Sequence, residues 1–197
     1  MDKKLYNVAI LIYDGVYLLD FTGPLEIFTD TYSKDGQKLF NTYTVSPDSI
    51  SIKAHCKLEV ISDYNIVNMP QPDIFVVPGG NLSLINENMK LKSWFLKTAE
   101  NSDIILSVCT GAFILSDAGM LDGLEVTTWY GAVNKLQQLT HKARVVSNKR
   151  VTDNGKVITT AGVSAGIDGA LHVVERLFGS EIAKATAKYI EYDWRGK

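Results

Sequence analysis

Cysteine, histidine and net charge are all scarce in this sequence. Its 197 residues contain two cysteines and three histidines, and the formal net charge is −2 at pH 7. A nearly neutral chain has no electrostatic reason to bind nucleic acid or an anionic membrane surface, so we expect neither as a partner. His55 and Cys56 are adjacent, but no second pair stands at ligand spacing, which argues against a structural zinc site. We expect no bound metal.

The sequence also lacks long apolar runs, internal repeats and linkers. No stretch is long enough to cross a membrane, and the polar start after Met1 does not resemble a signal peptide, so we expect a cytoplasmic protein. Cys56 and Cys109 are accordingly expected to stay reduced. The length suits a single domain over residues 1–197. Neither a dinucleotide fingerprint nor a phosphate-loop lysine motif is present, and we expect no cofactor.

Short apolar runs alternate with segments of helical period along the chain. Residues 8–13, 74–77 and 104–108 are almost continuously apolar, which is typical of parallel strands buried on both faces. Residues 89–100 and 167–178 place apolar side chains at helical spacing. The pattern predicts an α/β protein, a three-layer α/β/α sandwich with a mostly parallel sheet. Ligands of such sheets bind outside the carboxyl ends of the strands.

The remaining segments predict a hairpin, closing strands and a final helix. The polar stretch 46–57 predicts a hairpin or a sheet edge, and Asn154-Gly155 is a strong hairpin turn. The final helix is expected to extend from Ser180 to about Trp194. The predicted closing strands lie at residues 145–146, 151–152 and 157–159.

Cys109 stands at the junction of a predicted strand and a predicted helix. The run 104–108 leads directly into the small-residue start Thr110-Gly111-Ala112, a pattern typical of a sharp strand-to-helix turn that exposes its corner side chain. The positive end of the helix dipole is expected to favour a thiolate there and to lower the pKa of the thiol. Gly111 allows close approach. The alternative is a cysteine buried for packing, a common state of free cysteine.

Asp20 is expected at the same edge of the sheet as Cys109, because it follows the first predicted strand. It lies in a predicted irregular stretch before a helix whose first turn contains Pro24. Its leucine and phenylalanine neighbours argue against full solvation. The residue is either a catalytic carboxyl group or a cap for the helix that follows.

Two further features stand after predicted strands. Gly79 and Gly80 follow the 74–77 strand, where paired glycines either offer N–H groups to a ligand or simply form a tight turn. Trp129 and Tyr130 end another predicted strand, and they either wall a pocket or fill the core.

Five motifs spread over nearly the whole chain carry a resemblance to a known family. They are Leu19-Asp20-Phe21-Thr22-Gly23-Pro24, Val76-Val77-Pro78-Gly79-Gly80, Ser107-Val108-Cys109-Thr110-Gly111-Ala112, Ala118-Gly119-Met120-Leu121-Asp122-Gly123 and Thr160-Ala161-Gly162-Val163-Ser164-Ala165-Gly166-Ile167-Asp168. Together they resemble the ThiJ/PfpI superfamily, the single-domain relatives of class I glutamine amidotransferases, whose sheet is flavodoxin-like. Cys109-Thr110, in place of the Cys-His pair of PfpI-type proteases, resembles the isonitrile hydratase-like branch.

This resemblance implies a cysteine-dependent enzyme that hydrates an isonitrile to an N-substituted formamide without metal or organic cofactor. Cys109 would be the nucleophile, and Asp20 would share a proton with it, since a carboxylate and a thiolate repel each other. The Thr110 hydroxyl would hold water, and the N–H groups of Gly80 and Thr110 would polarise developing charge. The expected partners are a small-molecule substrate and a second copy of the chain in a homodimer. The substrate site is expected to include Gly79, Gly80, Gly111 and Trp129.

One position departs from the family pattern. Relatives often carry a His-Trp pair where this chain has Trp129-Tyr130, so amidase or protease chemistry, which depends on a Cys-His pair, is disfavoured. Two alternatives to hydration stay open: a non-catalytic redox or ligand sensor that uses an oxidisable Cys109, and a glyoxalase or deglycase-type hydrolase. Related AraC-type regulators add a helix-turn-helix pair after this domain, and we expect none after Lys197.

Overall fold

The fold is given by a computed structural model that describes residues 4–47, 50–80, 84, 88–194 and 196. The helices in this part of the chain are α1 (Leu18–Thr29), α2 (Met89–Asn101), α3 (Gly111–Asp117), α4 (Val133–Leu139), α5 (Ala165–Phe178) and α6 (Ser180–Tyr189). The strands are β1 (Tyr6–Leu11), β2 (Phe40–Ser46), β3 (Ser51–Lys53), β4 (Glu59–Ile61), β5 (Tyr64–Asn65), β6 (Ile74–Val77), β7 (Ile104–Ser107), β8 (Glu125–Val126), β9 (Arg144–Val145), β10 (Val151–Asp153) and β11 (Val157–Thr160).

A sheet of seven strands forms the centre of the described residues. Its order is β10-β11-β7-β6-β1-β2-β5, and each neighbouring pair is parallel except β10 with β11. Every side chain of β6 and β7 is buried, as are those of β1 from Val8 onward. Burial on both faces accounts for the almost unbroken apolar runs in the sequence.

Helices cover both faces of this sheet. Phe40 of β2, in register with Tyr6 of β1, contacts Phe178 of α5 on one face. Phe75 of β6 is in register with Ala9, an odd number of residues from Tyr6, so Phe75 points to the opposite face. There it packs against two aromatic rings of α2. The predicted three-layer α/β/α sandwich with a mostly parallel, flavodoxin-like sheet is confirmed.

Helix α1 begins earlier than the sequence predicted. It starts at Leu18, so Asp20 lies in its first turn and not in an irregular stretch before it. Pro24 lies inside the helix, where its missing N–H removes the hydrogen bond to the Asp20 carbonyl. Close packing of α1 on α5 compensates, and it requires Gly23, because a Cβ there would lie 3.0 Å from the Ile167 side chain.

Other boundaries agree with the predictions in part. The polar stretch forms the expected hairpin, with β3 antiparallel to β4, and Asn154-Gly155 turns β10 into β11. Strand β9, predicted as a closing strand, does not join the main sheet, because it pairs with β8 in a separate two-stranded sheet. The Val146 N–H extends this small sheet by donating to the Val126 carbonyl. Helix α6 ends at Tyr189 and not near Trp194, since Glu191 adopts a left-handed backbone conformation. Within the described ranges, no helix is both long enough and apolar enough to cross a bilayer.

Candidate active site

Cys109 occupies a strained corner between β7 and α3. Its φ of +57° lies in the left-handed region, which a non-glycine residue rarely adopts and which the surrounding structure must hold. The Cys109 N–H donates to the Ala161 carbonyl at 3.1 Å, and the Cys109 carbonyl accepts from Thr128 Oγ1 at 2.7 Å. A Cβ at Gly111 would lie 2.0 Å from the Val77 carbonyl oxygen, so only glycine allows α3 to start this close to β6. The predicted strand-to-helix turn is present.

The Asp20 carboxyl group lies against the Cys109 thiol. Asp20 is completely buried, and its Oδ2 accepts the Gly79 N–H at 3.0 Å. The other polar neighbours of the carboxyl group are the Cys109 thiol and the Val163 N–H. Oδ1 makes no conventional hydrogen bond to any residue within the described ranges. Asp20 does not cap α1, because the N-cap position belongs to Tyr17.

Burial weakens both acids of this pair. Burial raises the pKa of Asp20 to about 6, although the Gly79 N–H, the Cys109 thiol and the Val163 N–H oppose the shift. Burial, followed by the negative charge of Asp20, raises the pKa of Cys109 to about 12, while the N–H groups of Thr110 and Val163 oppose that shift. The prediction that the start of α3 lowers the pKa of the Cys109 thiol is therefore wrong. Burial and the Asp20 carboxyl group raise this pKa by more than the start of α3 lowers it.

The two groups titrate as one diacid. Burial raises both pKa values, and the Asp20 charge raises that of Cys109 further, so at neutral pH the pair carries a single negative charge. The charge can reside on the carboxylate beside a thiol, or on the thiolate beside a carboxylic acid, and contact between the groups lets these forms exchange. The second form provides a nucleophile and a proton donor together.

The two glycines after β6 use their N–H groups within the protein. Gly79 N–H binds Asp20, and Gly80 N–H donates to Thr110 Oγ1 at 3.2 Å. A Cβ at Gly79 would lie 2.6 Å from Thr110 Oγ1, so the glycine is needed for this close approach. The expected role of the Gly80 N–H in polarising a substrate stays a prediction, and in this structure that N–H donates to Thr110. The N–H groups that bear on the sulfur of Cys109 are those of Thr110 and Val163.

Trp129 lies beside this corner and is 38% exposed, so it is not a core residue. Its ring covers Gly162, where a Cβ would lie 2.4 Å from Trp129 Cδ1. Thr128 immediately before it bonds the Cys109 carbonyl. This exposure argues against the alternative that Trp129 fills the core, and its role as the wall of a pocket stays a prediction. Its neighbour Tyr130 is 81% exposed.

Comparison with known proteins agrees with this arrangement. The model of the DJ-1/PfpI family matches residues 6–176, most of the chain. The chain belongs to the DJ-1/PfpI family. The resemblance that its motifs predicted is confirmed.

Two curated relatives of this DJ-1/PfpI chain have different functions. It is 27% identical over 187 residues to an isonitrile hydratase of Pseudomonas putida, covering 94% of this chain and 78% of that protein. It is 23% identical over 190 residues to the transcriptional regulator GbdR of Pseudomonas aeruginosa, covering 95% of this chain and 51% of the regulator. Among solved structures, a ThiJ/PfpI family protein of Pseudomonas syringae superposes with a TM-score of 0.84 at 23% identity, over 96% of this chain and 76% of that one. The family thus includes both enzymes and regulators.

Two residues of this DJ-1/PfpI site were not predicted from the sequence. Tyr13 follows β1, donates its hydroxyl to the Pro78 carbonyl at 2.9 Å and packs its ring against Gly80. Burial, Asp20 and Cys109 all raise the pKa of Tyr13, so its hydroxyl stays neutral. The sequence feature that could have identified Tyr13 as a site residue is its position after a buried strand. Val163 acts through its backbone N–H at a φ of +53°, and its side-chain type gives no indication of that role.

No histidine is among the groups that act on the Cys109 thiol in the described part of this DJ-1/PfpI chain. His172 Nε2 bonds Asp153 Oδ2 at 2.7 Å, which agrees with its predicted packing role, and His141 is exposed as predicted. The His55 ring stacks on Tyr17 at a centroid distance of 4.4 Å. In the part of the chain that the structure describes, no cluster of three metal-binding side chains occurs.

Proposed function

We propose that this DJ-1/PfpI chain is a Cys109-dependent enzyme that hydrates a small isonitrile to an N-substituted formamide. The observation that carries the proposal is the fully buried Asp20 carboxyl group held against the Cys109 thiol. This pair holds one proton at neutral pH, and the reaction requires one proton to be delivered and then recovered.

The first step joins the thiolate to the terminal carbon of the isonitrile. The sulfur of Cys109 supplies the electron pair of the new C–S bond, and the Asp20 acid delivers its proton to the same carbon. The product is a neutral thioimidate, R–N=CH–S–Cys, beside an Asp20 carboxylate. The single negative charge of the pair moves from the sulfur to the carboxylate, so no second ion forms in a site where burial penalises every ionised form.

The second step returns the site to its starting state. The Asp20 carboxylate removes a proton from water as the water oxygen attacks the thioimidate carbon, and the nitrogen takes up the remaining hydroxyl proton. The C–S bond then breaks, releasing the formamide R–NH–CHO and the Cys109 thiolate. The Thr110 hydroxyl, which accepts the Gly80 N–H, is available to orient that water through its own proton.

The surroundings of Cys109 favour hydration over amide or peptide hydrolysis. Within the described ranges, Asp20 is the ionisable group that acts on its thiol, His172 bonds Asp153, and the His55 ring stacks on Tyr17. Without a histidine, a leaving amine has no imidazolium to protonate it. The 27% identity to an isonitrile hydratase also supports the proposal.

The decisive experiment incubates the protein with cyclohexyl isocyanide and measures N-cyclohexylformamide by mass spectrometry. Cys109→Ser is expected to lower the rate by roughly 10³-fold or more, because it removes the nucleophile. Cys56→Ser is the matched control, since Cys56 is the other free cysteine of the sequence and is exposed, and it should keep the wild-type rate. Equal rates for both variants would remove Cys109 from the reaction, and no formamide from the wild type would reject the hydratase proposal.

The other activities considered from the sequence are outcomes of the same assay. Methylglyoxal offered in place of the isonitrile tests the glyoxalase alternative. A redox sensor is expected to oxidise at Cys109 under mild peroxide without turning over either substrate, but Cys109 is 4% exposed, which disfavours an open, sensing thiol. The homodimer also remains a prediction, which sedimentation analysis of the purified chain tests.

A further inference from the structure

The segment between β11 and α5, residues 161–164, touches the reactive pair from one side. The Ala161 carbonyl accepts the Cys109 N–H at 3.1 Å, and the Val163 N–H faces both the Cys109 thiol and the Asp20 carboxyl group. Val163 has a φ of +53°, a conformation that a β-branched residue strongly disfavours. A backbone of this kind keeps its position only where neighbouring contacts hold it.

Arg150 grips the 161–164 segment from its other side. Its carbonyl accepts the Ala161 N–H at 2.8 Å, and its Nη2 donates to Ser164 Oγ at 3.3 Å. Its Nε and Nη2 also donate to Asp168 Oδ2 in the first turn of α5, at 2.9 and 2.5 Å. The backbone carbonyl of Arg150 therefore binds Ala161, before Val163 in the sequence, and its guanidinium binds Ser164, directly after Val163.

The chain after α6 completes this support. The Tyr192 hydroxyl donates to the same Asp168 Oδ2 at 3.1 Å. Arg150, Asp168 and Tyr192 line a cleft of about 530 Å³. The Asp168 side chain keeps only 16% of its exposure, so its bonds to Arg150 and Tyr192 are partly shielded from water.

We propose that Arg150 is a positioning residue for the Cys109–Asp20 pair, because it fixes the strained 161–164 segment so that the Val163 N–H stays against that pair. The inference deepens the proposed function, and it rests on that function only in taking Cys109 as the reacting group. Arg150 touches neither reacting side chain and acts through the backbone that it holds.

The groups that face the pair decide how its titration responds. Asp20 on α1 is the ionisable group that acts on Cys109 within the described residues, and Tyr13 after β1 is a group whose own pKa Asp20 and Cys109 raise. The charge of Arg150 acts on Asp168 and Tyr192 instead. The Val163 N–H lowers the pKa of both members of the pair. If the Val163 N–H moves away, the anionic form of the pair loses a hydrogen-bond donor. The pH at which the pair first loses a proton is then expected to rise.

The test compares two arginines that each bind an aspartate near α5. Arg150→Met removes the side-chain bonds to Ser164 and Asp168 and leaves the backbone bond to Ala161. Arg176→Met breaks the ion pair with Asp153, which lies apart from the 161–164 segment. Both variants are made in a Cys56→Ser background, and the rate of Cys109 alkylation by iodoacetamide is measured against pH. Arg150→Met is expected to move the alkylation midpoint up by at least half a pH unit, and Arg176→Met to leave it unchanged. Thermal unfolding is measured alongside, because both variants should lose some stability.

An unchanged midpoint in Arg150→Met, or an equal shift in both variants, would overturn the inference. If Arg150→Met fails to fold, Asp168→Asn and Tyr192→Phe weaken the same grip by degrees and should give a larger and a smaller upward shift. Alkylation does not depend on the substrate. A wild type that forms no formamide, together with a shifted Arg150→Met midpoint, would reject the proposed function and keep this inference, and the converse result would do the opposite.

Discussion

Two carboxyl groups of this molecule, Asp20 and Asp153, have opposite surroundings. Asp20 is fully buried and meets a thiol and backbone N–H groups. Asp153 is half-buried, and it bonds His172 Nε2 at 2.7 Å and Arg176 Nη1 at 3.0 Å. Each sits near an edge of the same central sheet, one in the first turn of a helix and the other at the end of β10.

The different partners move the two pKa values in opposite directions. Burial raises the pKa of Asp20 to about 6, because no cation offsets it. Burial also opposes ionisation of Asp153, but the bonds to His172, the Gly155 N–H and Arg176 outweigh it and lower its pKa. A carboxyl group with cationic partners is committed to one charge state and supports the structure. One without them keeps a proton that it can give away, which suits chemistry.

The largest effect is expected from Asp20→Asn, which keeps the size of the side chain and removes its proton. Formamide production should fall by about 10²- to 10⁴-fold, the usual contribution of a positioned acid–base group. The pKa of the thiol should then fall below about 12, because the carboxylate that helped to raise it is gone while burial still raises it. Absorbance of the thiolate near 240 nm measures this titration. A thiol pKa equal to that of the wild type would show that the groups do not interact.

Stability against pH offers a second contrast between the two carboxyl groups. Asp20 holds its proton up to about pH 6 when folded but only to about pH 4 when unfolded, so stability should fall by roughly 3 kcal/mol as the pH rises through this window. Asp20→Asn should abolish that decline, as measured by urea unfolding at pH 4, 5, 6 and 7. A wild type whose stability rises steadily from pH 4 to 6 would contradict it.

Asp153→Asn is expected to act on stability and not on chemistry. The lowered pKa of Asp153 means that its contribution is present above the unfolded value near 4 and is lost as the pH falls through the folded value. The variant should therefore lose about 1–2 kcal/mol at pH 7, with less difference from the wild type in acid. Its alkylation midpoint at Cys109 should equal that of the wild type. A shifted midpoint would show that the two carboxyl groups are coupled.

The smallest effect is expected from Tyr13→Phe. The change removes the hydrogen bond to the Pro78 carbonyl and should cost about 1 kcal/mol of stability. Because the raised pKa keeps this hydroxyl neutral, the ionisation of Cys109 should not move. Urea unfolding and the alkylation profile measure the two quantities, and a changed profile would make Tyr13 a third member of the pair.

Local features of the fold were predictable from the sequence, whereas the balance of forces at the site was not. The buried strands and the turn at Cys109 follow from composition and order along a few residues. The start of α1 was placed too late because Gly23 and Pro24 disfavour a helix locally, and only packing against Ile167 reveals why the helix includes them. The sign of the thiol pKa shift depends on burial, which strands and helices from distant parts of the chain create together.

The donors at the site show the same limit. Gly80 was expected to bind substrate, but the Thr110 hydroxyl already accepts its N–H, a competition that appears only when both strands end at one edge. Val163 contributes a main-chain group from a left-handed conformation, and a valine gives no sign of it. The Cys109–Asp20 contact itself followed from one topological rule, that the carboxyl ends of parallel strands meet.

The proline in α1 has a consequence for how this acid can be tuned. Helix α1 lacks one backbone hydrogen bond, the one that the Asp20 carbonyl would accept from an N–H at position 24. The residue that carries the proton is thereby attached more loosely to its own helix than its neighbours are. A residue with an N–H at position 24 could donate to the Asp20 carbonyl and would leave both reacting atoms unaltered.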